Sequence, residues 1–323
     1  MKTSMGCGFV LTGVLVASFV VETGGADEVE PSAETDVCML EGHVRSNPPE
    51  KKHPPYRSQK FPEGERANEV YRWKVHDPKR PQPEVVEPPT PSLQQRPGLT
   101  PSDAVVLFDG TQPDADLSAF RFEKPEKGDP TDSWVVRDGY FEVKRSTSNL
   151  LTKESFGDVQ LHVEWMVPER YDEKFFQSRG NSGIKLMSRY EVQILDSLAN
   201  PTYADGMAGA IYGQNPPLVN PGLGLGRWQT YDIIFRRPIF GDGDEVLRPA
   251  TLTVLHNGVL IQDNWHLEGQ TRFEKRARYW KHADEEPIQF QEHGDAVRYR
   301  NIWVRRLPER PLSVVDSSSC LSD

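Results

Sequence analysis

Residues 181–196 read NSGIKLMSRYEVQILD, and the reading of this stretch decides the fold. Ser182 to Met187 and Tyr190 to Leu195 are both rich in residues that suit a pleated surface, and Ser188-Arg189 supplies a short polar turn between them. Side chains two apart on a strand share a face, so Glu191 and Gln193 point the same way. Asp196 stands at an odd offset and faces the other way, unless one β-bulge returns it to the side of Glu191. With the bulge, two carboxylates and an amide line one sheet face, a set suited to gripping and processing a sugar. Without it, Glu191 and Gln193 lie on a solvated face and Asp196 begins a turn.

Outward from this hairpin the same pattern repeats. Between Ala104 and Leu307 run VVLFDG, SWVVRDGYFEV, DVQLHVEWMV, WQTYDIIFRR, ATLTVLHNGVLIQ and VRYRNIWVRRL, separated by Gly, Asn, Asp and Pro. In 159–166, Val159, Leu161, Val163 and Trp165 form one apolar face, while Gln160, His162, Glu164 and Met166 form the other. Arg137-Asp138-Gly139 and His256-Asn257-Gly258 are turn signals, the second a hairpin through Asn-Gly. No long amphipathic helix is evident. About 200 residues of short strands predict an all-β sandwich with a sizeable core, in which Trp134, Trp165, Trp228 and Trp303 are core candidates.

The flanks differ. Residues 1–26 have the form of a secretory leader: Lys2, an apolar run from Phe9 to Val21, and small residues up to Ala26. Residues 27–103 form a proline-rich, largely irregular arm, because proline fixes φ and removes a donor. Its apolar cluster, Val70, Tyr71, Trp73 and Val75, either docks on the following domain or serves as a handle for a partner. Residues 308–323 are a C-terminal tail. Cys38 and Cys320 either pair or remain free thiols in the tails, and no Cys/His spacing for structural zinc is present. The net charge of −10 with dispersed Lys and Arg argues against nucleic acid as a partner, and no second apolar segment is long enough for a membrane span. The expected location is exported, periplasmic or extracellular.

Six motifs in order carry a resemblance: Leu107-Phe108-Asp109-Gly110, Gly180-Asn181-Ser182-Gly183-Ile184 before YEVQILD, NPTYADGMAGAIYGQNPPLVN from Asn200, Trp228-Gln229-Thr230-Tyr231-Asp232-Ile233, LHNGVLIQDN from Leu255, and QEHGDAVRYRNIWVRRL from Gln291. Together they resemble the 3-keto-disaccharide hydrolase family, whose members include 3-keto-glucoside 1,2-lyases and 3-keto-2-hydroxyglucal hydratases. The resemblance covers nearly all of 104–307 and none of the arm. It implies a concanavalin-like jelly-roll β-sandwich and an exported enzyme acting on glycosides already oxidised at C3. A separate glycoside 3-oxidoreductase must then supply the substrate. Two positions depart from the family's pattern: Glu292 stands where Asp is usual, and Asp295 where Asn is usual.

A C3 ketone acidifies the C2 proton, so a general base can remove it and the C1 oxygen leaves by β-elimination; later addition of water to the unsaturated product makes the net result hydrolysis. Glu191 is the first candidate for the base, with Asp196 as a second acid/base, and His162 or Glu164 as alternatives on a neighbouring strand. Glu164 could equally be the partner of an arginine, and Arg300 more often pairs with a buried carboxylate than touches substrate. Asn181 and Gln193 are candidate donors to sugar oxygens. The aromatic loop 201–220 adds Tyr203, Asp205, Tyr212 and Gln214, whose rings either stack on a pyranose or pack the loop down. His293 before Gly294 is an active-site acid or a turn residue. No cofactor is expected. Glu191, Asp196, Glu164 and His162 could together offer an oxygen-rich site to calcium or manganese. Two rival functions remain: a non-catalytic carbohydrate-binding sandwich, and an ordinary retaining glycoside hydrolase using Glu191 and Asp196.

Overall fold

The structure is a computed structural model that describes residues 73–85, 94, 96–111 and 115–310. The leader, Cys38, Cys320, Val70 and Tyr71 lie outside the described residues. Thirteen strands among the described residues build two sheets: Val105–Phe108 (β1), Phe120–Phe122 (β2), Val135–Arg137 (β3), Tyr140–Glu142 (β4), Leu150–Phe156 (β5), Val159–Met166 (β6) and Ser182–Leu186 (β7) come first. Tyr190–Ile194 (β8), Gln229–Arg236 (β9), Thr251–His256 (β10), Val259–His266 (β11), Glu286–Phe290 (β12) and Arg298–Arg306 (β13) complete them. The large sheet runs β11-β10-β9-β6-β13-β4-β3, with β1 also on β13; the small sheet runs β2-β5-β12-β7-β8. Apart from one short parallel contact made by the arm, the strand pairs are antiparallel. The expected concanavalin-like β-sandwich is what forms.

Alternation puts the core between the sheets. Val159, Leu161, Val163 and Trp165 of β6 meet Tyr190, Val192 and Ile194 of β8 in one apolar cluster. Their neighbours, Gln160, His162 and Glu164 on one strand and Glu191 and Gln193 on the other, therefore face outward from opposite sheets. Asp138-Gly139 and Asn257-Gly258 are two-residue turns with positive φ at both positions, the type I′ geometry that suits strand twist. The β7–β8 connection is instead three residues, Met187 to Arg189, with Leu186 opposite Tyr190.

Of the four tryptophans expected in the core, Trp134 and Trp165 belong to it. Trp228 packs with Tyr140 and Met166 in a separate small cluster. Trp303 is buried on the outer face of the large sheet, its ring stacked on His162 at 5.0 Å. The cause is a bulge in β13: Arg300 lies opposite Glu164 and Trp303 opposite His162, so three steps on β13 match two on β6, with Asn301 at φ 47°.

The arm docks. Trp73 is half-buried and Val75 buried, and Glu84–Val85 pairs in parallel with Val219–Asn220. Gln94 and Trp228 exchange a pair of hydrogen bonds at 2.9 Å each, and the Gly98 N–H reaches Glu164. Among the described residues no helix is long and apolar enough to cross a membrane.

Candidate active site

β8 is the edge of the small sheet, and its outer face carries Glu191 and Gln193. Its free backbone edge is closed by loops: the Tyr212 and Gly209 N–H groups donate to the carbonyls of Glu191 and Gln193, and the Glu191 N–H donates to the Thr271 hydroxyl. The register opposes Lys185 to Glu191, and the Lys185 Nζ lies 3.5 Å from a Glu191 oxygen. Gly183 makes the room. A Cβ there would stand 2.4 Å from the Glu191 Oε1, so any side chain at 183 would displace the carboxylate. Gln289, opposite Lys185 on β12, extends the same face.

Glu191 is only 4% exposed. Burial pushes its carboxyl above the ordinary glutamate range, and the charges of Lys185 and His293 oppose that rise. The result is a carboxylate with one loose cationic partner, held away from water, which suits a proton acceptor. Gln193 donates through Nε2 to Gln177 Oε1 at 3.1 Å and to Asn181 Oδ1 at 3.2 Å. Its side-chain Oε1 is buried and has no hydrogen-bond partner among the described residues. Asn181 donates to the Gln177 carbonyl at 2.9 Å.

The departures from the family pattern now have a structural meaning. Asp295 accepts the N–H groups of Gly180 and Asn181 at 3.1 and 2.7 Å, a role that an asparagine oxygen fills equally. Glu292 accepts from the Gly294 N–H at 2.8 Å and so braces the turn that presents exposed His293. Burial pushes the Asp295 carboxyl up, and the charge of His293 acts against that rise as it does for Glu191.

The structure brings together Glu191, Gln193, Asn181 and His293, and adds Lys185, Gln177 and Asp295. Other candidates lie elsewhere. The register is unbroken as far as Ile194, where the strand ends, so no bulge separates Glu191 from Ile194. Asp196 is instead buried against Arg179 at 2.6 Å. His162 and Glu164 occupy the outer face of the opposite sheet, away from Glu191. Glu164 binds Arg300 at 2.7 Å and Asn301 at 2.8 Å; His162 pairs with Asp232 at 2.7 Å.

The loop candidates are also engaged. Tyr203 has His76 of the arm stacked on its ring at 4.1 Å, which leaves that face no room for a pyranose. Asp205 accepts the His76 N–H, and Gln214 is tied to the backbone at Glu268 and Gly269. Tyr212 binds the Tyr203 hydroxyl at 3.0 Å. The four residues considered for calcium or manganese are thus split between two faces. Among the described residues no group of three or more His, Cys, Asp or Glu is arranged to hold a metal.

A jelly-roll β-sandwich with a buried carboxylate, an ammonium and amides on one outer sheet face has the form of a sugar-handling domain. The family model of the 3-keto-alpha-glucoside-1,2-lyase-like domain matches residues 103–305, and the chain belongs to that family. A crystal structure from Parabacteroides distasonis, provisionally called a glycosyl hydrolase, is 40% identical; the match covers 71% of this chain and 93% of that one, with a TM-score of 0.60. A second structure from the same organism, described in the same way, is 16% identical, covers 65% of this chain and 99% of its own, and has a TM-score of 0.46. No curated protein matches the chain.

Proposed function

We propose that this chain cleaves glycosides carrying a ketone at C3, by β-elimination. The observation that carries the reading is the Glu191 carboxylate, buried, raised in pKa and 3.5 Å from the Lys185 ammonium, beside an unpartnered Gln193 oxygen. Glu191 takes the C2 proton, and the C2–H electron pair passes to the C3 oxygen as an enolate. Lys185 supplies positive charge where that oxyanion develops. The enolate collapses, the C1–O bond breaks, and the leaving oxygen takes a proton from the exposed His293. The sugar product is unsaturated between C1 and C2; addition of water across that bond makes the net change hydrolysis. The Gln193 oxygen accepts a sugar hydroxyl, and Asn181 and Gln177 hold that amide in place.

The ordinary retaining pair of Glu191 and Asp196 is not favoured, since Asp196 is committed to Arg179 and a retaining pair stands about 5 Å apart. The leader-like residues 1–26 support export, and the need for a C3 ketone supports a partnership with a separate sugar oxidoreductase.

The test is incubation of the purified protein with a 3-keto-glucoside and with its parent glucoside, following aglycone release by mass spectrometry. Release from the keto sugar alone, slowed by deuterium at C2 and lost in Glu191→Gln, supports the elimination. Release from the parent sugar overturns it in favour of ordinary hydrolysis. Binding of either sugar without release overturns it in favour of a carbohydrate-binding module.

A further inference from the structure

The family match begins at residue 103, yet the arm before it reaches the loops that wall the site. Two consecutive turns, Lys74 to Asp77 and Asp77 to Arg80, present His76 in the left-handed region at φ 58°. Its side chain is 1% exposed. The ring stacks on Tyr203 and meets Tyr212 edge-on at 5.0 Å, and the two tyrosine hydroxyls bond each other. Tyr212 in turn donates its N–H to the Glu191 carbonyl, and its phenol feels the Glu191 charge. Around this wedge, Arg80 lies 3.7 Å from the buried Asp205 carboxylate and donates to the Gln214 carbonyl, while Gln82 donates to the Thr202 carbonyl at 2.8 Å. From the other loop, Arg276 donates to the Trp73 carbonyl.

Residues 73–82 therefore touch both loops that close the edge of β8, the 201–220 loop and the 268–280 loop. An edge strand held by loops is only as well placed as those loops are. We propose that the arm is part of the active site's architecture: His76 is a positioning residue that, through Tyr203 and Tyr212, holds Glu191 in its dry setting. The functional unit then extends back to at least Trp73 and is longer than the family domain. This inference rests on the role given to Glu191, but one of its readouts does not.

That readout is hydrogen exchange of the full chain in native, His76→Ala and His76→Phe forms. In His76→Ala the amides of Gly209 and Tyr212 are expected to lose roughly tenfold or more in protection while those of β6 and β13 keep theirs; His76→Phe, which retains a ring on Tyr203, restores it. The kinetic readout is the pH dependence of kcat/KM on the 3-keto-glucoside. Loosening the loop rehydrates Glu191, so the acid limb is expected to move to lower pH by roughly half a unit or more, with a fall in kcat/KM of about tenfold. Arg80→Gln, which leaves the ring in place, gives a weaker change of the same sign and serves if His76→Ala does not fold. Unchanged protection at Gly209 and Tyr212 overturns the inference, as does an acid limb that stays put while only thermal stability falls. If the native chain releases nothing from the keto sugar, the proposed function fails and the exchange data alone decide the role of the arm.

Discussion

Both outer faces of the sandwich carry a buried glutamate beside a cation, and the two glutamates have opposite characters. On the large sheet Glu164 accepts from Arg300, Asn301 and the Gly98 N–H, all within 2.8 Å. Burial acts to raise its pKa, but the hydrogen bonds from His162, Gly98 and Asn301 and the charge of Arg300 outweigh it and hold the carboxyl below the ordinary range. On the small sheet, among the described residues, only Lys185 and the charge of His293 act against the burial of Glu191, and its carboxyl is raised. A carboxylate whose lone pairs are filled by protein donors has nothing left for a substrate proton. One that is dry and underfilled does. Donor count, more than burial or the presence of a cation, separates the two glutamates.

The largest expected effect tests that separation directly. Glu191→Gln should cost at least about 10³-fold in kcat with little loss of stability, since it removes a buried charge from a loosely paired site. Glu164→Gln should do the reverse, leaving kcat within a few-fold and lowering unfolding free energy by roughly 3 kcal/mol, because Arg300 is left without its carboxylate. Steady-state kinetics and urea unfolding on both variants decide it; a dead but stable Glu164→Gln would break the comparison.

Next in size is Lys185→Met, expected to lower kcat by about 10²-fold through loss of charge at the developing oxyanion. It should also move the acid limb of kcat/KM upward, since the ammonium that opposes burial is gone; an unmoved limb would detach Lys185 from Glu191. The native limb itself should lie above the ordinary glutamate value, with activity lost as pH falls through the raised pKa of Glu191.

A smaller effect belongs to stability. On the large sheet burial lowers the pKa of His162, yet Asp232 at 2.7 Å and Glu164 at 3.9 Å overcome it and push the imidazole up to about 9. A raised histidine contributes stability that is complete below its unfolded value and lost as pH rises through about 9. Thermal melting should therefore drop over that window, and Asp232→Asn should flatten the drop.

The smallest concerns the arm's anchor. Burial pushes Asp205 up to about 6, against the His76 N–H and the charges of Arg80 and Arg276. Its contribution is present below the ordinary aspartate value and fades as pH rises through about 6. Urea midpoints of Asp205→Asn should fall less than those of the native chain between pH 4 and pH 6; parallel curves would show that Asp205 does not titrate in this window.

How much of this was legible depended on whether the partner was local. The alternation of 159–166 and the Asp-Gly and Asn-Gly turns depend on neighbouring residues only, and the sandwich follows from them. The two motifs His162-x-Glu164 and Glu191-x-Gln193 look alike in sequence, because the donors that distinguish them stand far along the chain, at Gly98, Arg300 and Asn301. Lys185 was hidden by one residue. A two-residue turn at Ser188-Arg189 pairs Met187 with Tyr190, whereas the three-residue turn that forms pairs Leu186 with Tyr190 and so sets Lys185 against Glu191. Trp73 and Val75 were readable as docking residues from their apolarity. His76 and Arg80 were not, since their partners, Tyr203 and Asp205, sit in a loop whose path no periodicity reveals.

The position of β8 at the margin of its sheet has a consequence beyond catalysis. Its backbone would be an open template for another chain, and here irregular loops rather than a further strand occupy it. Shortening the 201–220 loop would therefore uncover a sticky ribbon, and the altered protein would be lost first to self-association. Solubility then bounds how far this loop can be cut back.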